Sequence, residues 1–193
     1  YMNLPYFLSA LIALGVAAWI STKLGKKRGG MLTLAISFGM APMPYILRLL
    51  GWFPENGTDA LFWTLVVFNA LEVTLIIIAA SLVAAMIADI VEDSEVKTGR
   101  RSEGIFFAAN SFAQKAVNGL GVVVAGQILA IIQFPTQAKP GDVPASTIAD
   151  LAIYYIPVIF FFYILALAVL SLYKINRAGH EANLRQLADS QRP

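Results

Sequence analysis

Five apolar stretches, each near or above the length that a bilayer demands, leave this chain few ways to fold. A helix needs about 20 apolar residues to cross the hydrocarbon core. Stretches of that kind run over residues 4–22, 31–52, 60–88, 104–134 and 151–173. The expected fold is therefore an all-α membrane protein, with five transmembrane helices within residues 1–173 and a polar tail over 174–193. Composition agrees. Apolar residues make up 58% of the chain and charged ones 13%, against about 25% charged in soluble domains. There is no cysteine, which excludes disulfides, thiolate metal sites and a cysteine nucleophile. The lone histidine, His180, lies in the polar tail and excludes a centre built on several histidines. No metal site and no cofactor are expected.

The third and fourth stretches exceed what a bilayer needs, which implies tilt or projection beyond the membrane. Pro42 and Pro44 interrupt the second and should kink it, because each removes a backbone donor. Such a kink serves either gating or plain packing. Orientation follows from lysine and arginine. Lys23, Lys26, Lys27 and Arg28 fill the first turn, Lys97, Arg100 and Arg101 the third, and Lys174, Arg177, Arg185 and Arg192 the tail. The turn at 53–59 holds only the acids Glu55 and Asp59, and the turn at 135–150 has Lys139 as its single base. Basic turns alternate with poor ones, so the basic side is read as cytoplasmic, with the N-terminus outside and the C-terminus inside. An odd number of spans entered at Tyr1 without a signal-like leader suggests a fragment with helices missing upstream. The stretch at 178–187 permits a short surface helix, although a partly ordered end is the commoner outcome for such a tail.

Two charges lie deep within apolar stretches. Lys115 sits about a third of the way into the fourth, where insertion costs roughly 2.5–3.5 kcal/mol. At about 100° per residue, Asn110, Gln114, Asn118, Ser111 and Lys115 share one arc of about 140°. Polar stripes in membranes serve either as hydrogen-bonding glue between helices or as cavity wall; the lysine favours a cavity. Glu72, with Asn69 one turn earlier, is the second buried charge. It suits either a structural pair with Lys115 or a carboxylate that binds a proton or Na⁺. On the basic side, Lys26, Lys27, Arg28, Asp89, Arg100 and Arg101 are candidates for a gate of breakable ion pairs. Exposed pairs contribute only about 0–1 kcal/mol each, so such a gate would need a network. Gly25–Gly30 lacks phosphate-loop spacing and no serine–histidine–acid set exists, so enzymatic chemistry has little support and no catalytic residue is assigned. No nucleic-acid partner is expected.

The run Ala85-Met86-Ile87-Ala88-Asp89-Ile90-Val91-Glu92, followed by Lys97-Thr98-Gly99-Arg100-Arg101-Ser102-Glu103-Gly104, resembles the glycoside–pentoside–hexuronide:cation symporters. This is the melibiose-permease-like branch of the major facilitator superfamily. In that family such a turn joins helices ten and eleven, and a lysine follows in helix eleven. Lys115, in Phe112-Ala113-Gln114-Lys115, occupies the matching place. Lys23-Leu24-Gly25-Lys26-Lys27-Arg28 is similar to the family's turn between helices eight and nine. The resemblance implies helices eight to twelve of a twelve-helix secondary transporter, most of its C-terminal six-helix bundle. It implies cation-coupled symport of a sugar or glycoside by alternating access, with Na⁺ or H⁺ as coupling ion. The expected partners are a sugar-like small molecule, the lipid bilayer of a bacterial plasma membrane and the missing N-terminal half of the same protein. Glu92-Asp93 stands where the family often has Asp-Tyr, and Glu72 sits in a stretch that is usually uncharged. The alternatives are a transporter of the same fold for a lipid or another solute, and a non-transporting scaffold or truncated half-transporter.

Overall fold

The computed structural model describes residues 3–135, 137, 143–175 and 177–190, with side chains from residue 7 onward except those at 177, 178 and 188–190. Lys139 and Arg192, which entered the orientation argument, lie outside the described residues. The helices are α1 (Asn3–Leu24), α2 (Lys26–Met40), α3 (Met43–Leu49), α4 (Asp59–Thr98), α5 (Glu103–Ile131), α6 (Ala145–Ser171) and α7 (Arg177–Ser190). Five units are long and apolar enough to cross a membrane: α1, α2 with α3, α4, α5 and α6.

Local chemistry sets the breaks. Gly25 joins α1 to α2 at φ 78° and ψ 161°, a region that only glycine occupies readily. Pro42 is the N-cap of α3, and the pair Pro42 and Pro44 separates α2 from α3 rather than merely bending one helix. Thr58 caps α4, its hydroxyl accepting from the Leu61 amide at 3.2 Å. Gly99 ends α4 in the left-handed conformation, its amide donating to the Glu95 carbonyl at 2.8 Å. At 40 residues α4 is roughly 60 Å long, about twice the hydrocarbon thickness. Its charged end, from Asp89 onward, therefore projects past the apolar layer.

α4 is the hub, packing against α1, α2, α5 and α7. Ser9, Ala13 and Ala17 repeat every four residues on α1 and are buried. These small side chains let the two backbones approach. Ser9 donates to the Ala70 carbonyl at 3.1 Å, and Ala13, Ala17 and Ile20 form one apolar cluster with Ile78 and Leu82 of α4. α2 presents its buried face of Gly29, Gly30, Thr33 and Ser37. Phe38 meets Phe160 of α6 at 4.6 Å between ring centroids. α5 is the least covered span, with every residue from Ser111 to Leu120 exposed. The tail is helical as α7 and packs on α4, instead of the partly ordered end that polarity alone suggested.

Close approach at Gly29 makes a test. A methyl group there would collide with Cγ2 of Ile20 and come within 3.5 Å of Leu82. Ile20 is β-branched and stiff at χ1, so it cannot swing away. Gly29→Ala is expected to cost about 1–3 kcal/mol by overpacking, despite the gain of roughly 1 kcal/mol in helix propensity. Thermal unfolding of Gly29→Ala, Ile20→Ala and the pair checks it. The double variant should be less destabilised than the sum of the two.

Candidate functional site

A cavity of about 550 Å³ lies between α3, α4 and α6 and the turn before α4. Its aromatic walls include Tyr45, Phe53, Phe62, Trp63, Phe68 and Tyr155, and its polar groups are Arg48, Asn56, Asn69 and Glu72. Tyr45 and Tyr155 stand 4.9 Å apart, tilted by 51°. Arg48 donates to the Pro54 carbonyl at 3.1 Å and to Asn56 Oδ1 at 2.8 Å, which fixes its guanidinium in the cavity wall. Asn69 and Glu72 are three residues apart on α4 and therefore share a face. The volume lies within the 300–1,000 Å³ usual for small-molecule pockets. A carboxylate and an amide among aromatic faces can bind a cation, or hydrogen-bond a hydroxylated ligand whose C–H faces stack on the rings.

The stripe on α5 is a separate feature. Asn110 is half-buried, whereas Ser111, Gln114, Lys115 and Asn118 are exposed, and none of the five lines the cavity. Among the described residues no hydrogen bond or ion pair joins Glu72 to Lys115. The α5 stripe and the Asn69–Glu72 pair thus fall in two places. Glu72 and Asn69 line the cavity, and the other five lie on α5, four of them exposed.

The basic end carries a third group, about 25 Å along α4 from Glu72 at 1.5 Å per residue. Asp89 is buried, with 4% of its surface exposed. Its Oδ1 accepts from the Lys26 ammonium at 2.5 Å and its Oδ2 from the Tyr173 hydroxyl at 2.7 Å. Lys26 also reaches the Ala85 carbonyl at 3.4 Å. Lys27 donates to the carbonyls of Ser171 and Tyr173 at 2.7 and 2.6 Å. The start of α2 and the end of α6 are thereby both fastened to α4. Burial first, and then the Asp89 carboxylate, hold the Tyr173 hydroxyl above the ordinary phenol range. Its contribution to stability is fully present below about pH 10 and is lost only as pH rises further. Arg101 pairs with Glu95 at 3.5 Å and Glu103 at 3.1 Å, both near in sequence. Arg28 and Arg100 are exposed. From α7, His180 Nδ1 lies 3.2 Å from Asp89 Oδ1 and 2.9 Å from Glu92 Oε2. Asn183 donates to Asp93 at 3.3 Å.

Several of these residues escaped the sequence. Tyr45, Trp63 and Tyr155 sit in apolar runs where an aromatic ring carries no positional signal. Arg48 did carry one: a guanidinium within the second apolar stretch, as costly there as Lys115 in the fourth. Tyr173, His180 and Asn183 meet α4 only through the fold.

Comparison with known proteins completes the description. The family model described as MFS/sugar transport protein matches residues 1–177. An uncharacterized symporter of Synechocystis sp. is 32% identical over 141 residues, covering 70% of this chain and 25% of that protein. A protein of Escherichia coli (strain K12) named as a glycoside/cation symporter is 32% identical over 102 residues, covering 53% of this chain and 22% of its own length. The chain spans about a quarter of the length of these relatives. No solved structure matches it significantly.

Proposed function

The chain belongs to the MFS/sugar transport protein family, and from that premise we propose that it is the C-terminal part, helices eight to twelve, of a cation-coupled sugar or glycoside symporter. The observation that carries the substrate class is the cavity beside Glu72. Aromatic platforms with polar partners suit a sugar, and purely apolar walls would suit a lipid tail. Tyr45 and Tyr155 supply the platforms, and Asn69, Arg48 and Glu72 the hydrogen-bonding groups. Glu72 is the carboxylate within reach of a coupling Na⁺ or H⁺. The α5 stripe of Asn110, Ser111, Gln114, Lys115 and Asn118 then faces the N-terminal half of the same protein across the substrate path. Access alternates as the two halves rock about that path. The basic end, with Lys26, Lys27, Arg28, Asp89, Arg100 and Arg101, lies on the cytoplasmic side of a bacterial plasma membrane, as does the C-terminus, and forms the gate there.

Uptake into proteoliposomes bearing the full-length protein tests this. Labelled glycosides should accumulate when a Na⁺ or H⁺ gradient is imposed. Tyr155→Ala should raise KM about 2- to 12-fold, the size of one lost aromatic contact of roughly 0.5–1.5 kcal/mol. Glu72→Gln should leave binding measurable and remove the dependence on the gradient. Uptake of a lysophospholipid with none of any glycoside would establish the lipid reading in its place, and uptake of neither would leave a scaffold.

A further inference from the structure

We propose that Asp89, Glu92 and His180 hold one divalent transition-metal ion of the zinc class, and that this ion pins the tail helix α7 to α4. Asp89 and Glu92 stand three residues apart on one face of α4, and His180 comes to them from α7, so the donor set exists only when the two helices are docked. One donor atom from each residue lies within 4.8 Å of the others. His180 Nδ1 and Glu92 Oε2 are buried atoms 2.9 Å apart, and among the described residues neither has a hydrogen-bond partner. Asp89 Oδ1 lies 3.2 Å from the same nitrogen. Two buried lone-pair atoms at contact distance, outside hydrogen-bond geometry, call for a cation between them. Neighbouring ligands on one ion at about 2.0–2.1 Å, subtending roughly 90–105°, are separated by about 2.9–3.3 Å. Both spacings from Nδ1 fall in that interval.

The donor chemistry narrows the ion. An imidazole with two carboxylates suits zinc, manganese or iron, and a magnesium or calcium site would be all oxygen. The side chains of His180 and Glu92 retain 26% and 23% exposure, although the two donor atoms themselves are buried. Tyr173, donating to Asp89 Oδ2, orients the carboxylate from behind, as partners of metal ligands commonly do. Lys26 works against the ion, because its ammonium occupies Asp89 Oδ1. Metal and ammonium therefore compete for one oxygen, and the ion loosens the tie between α2 and α4 as it tightens that between α7 and α4.

Cobalt titration of the purified full-length protein, after treatment with chelator, tests the site. Visible d–d absorbance should saturate at one ion per chain and be erased by zinc. His180→Gln and Glu92→Gln should each weaken binding about 100-fold or more, beyond the 10–100-fold typical of losing a group that only supports a ligand. Lys26→Gln should strengthen it. Trypsin cleavage at Arg185 of α7 should slow when metal is added to the native protein and stay unchanged in His180→Gln. Cobalt affinity equal in native protein and both ligand variants overturns the proposal. So does protection of Arg185 that follows pH in the presence of chelator and ignores metal, since a protonated imidazole would then fill the gap.

Discussion

Replacing Lys115 with methionine is expected to abolish coupled uptake while the full-length protein still reaches the membrane. The substitution keeps the length of the side chain and removes its charge. Methionine at a lipid-facing site would relieve the roughly 2.5–3.5 kcal/mol that a lysine costs within the apolar layer, so expression would rise and uptake would persist. On a wall of the substrate path the lysine contacts solute or coupling ion in a desolvated space. Losing one charged partner there costs about 2–5 kcal/mol, which corresponds to a fall in uptake of about 30-fold to more than 1,000-fold. The stripe chooses between these outcomes. Ser111, Gln114, Lys115 and Asn118 are all exposed on α5, and among the described residues no helix covers them. Four polar side chains on one face of a span demand polar company, which the proposed N-terminal half would supply. Because no bond joins Glu72 to Lys115, the expression losses of Lys115→Met and Glu72→Gln should add in the double variant. Uptake and surface expression of the three variants settle the matter, and normal coupled uptake by Lys115→Met would falsify the cavity role.

The spans were legible because bilayer thickness converts directly into a length of apolar sequence, and the interruption of the second was legible because Pro42 and Pro44 fix φ and lack a backbone donor. The stripe on α5 was legible through helical periodicity. What pattern could not supply was which faces meet. Ser9, Ala13 and Ala17 are an ordinary small-residue repeat until α4 lies against them. Glu72 and Lys115 are comparable in depth, which made a pair plausible, but depth says nothing of azimuth, and the fold turns Glu72 toward Tyr45 and Tyr155. Arg48 lies within an apolar stretch, whereas basic residues report orientation from the turns. A single histidine in a polar tail gives no sign of a site, because its partners stand about ninety residues earlier on α4 and only the docking of α7 brings them together.

Asp89→Ala is the substitution expected to destabilise this bundle most. Asp89 is 5% exposed at its side chain, and it accepts from two donors on two other elements, Lys26 and Tyr173. Removing it strands an ammonium that is only 26% exposed, with the Ala85 carbonyl at 3.4 Å as its remaining acceptor. Breaking a buried pair by deleting one partner costs roughly 3–5 kcal/mol. The partial exposure of Lys26 and its carbonyl contact place this case near the lower end, about 3 kcal/mol. Asp89→Asn retains an acceptor for one donor and should cost less, about 1–3 kcal/mol. The informative variant removes both charges. Lys26→Met with Asp89→Leu leaves no ion without its partner and fills the same space with apolar atoms, so it should be more stable than Asp89→Ala alone. Thermal unfolding in detergent, with chelator present so that no ion contributes, ranks the four proteins. The expected order of decreasing stability is native, then Asp89→Asn and the double variant, then Asp89→Ala. A loss within about 0.5 kcal/mol for Asp89→Ala, the range of ordinary surface substitutions, would show that the ends of α2 and α6 are held to α4 by packing alone.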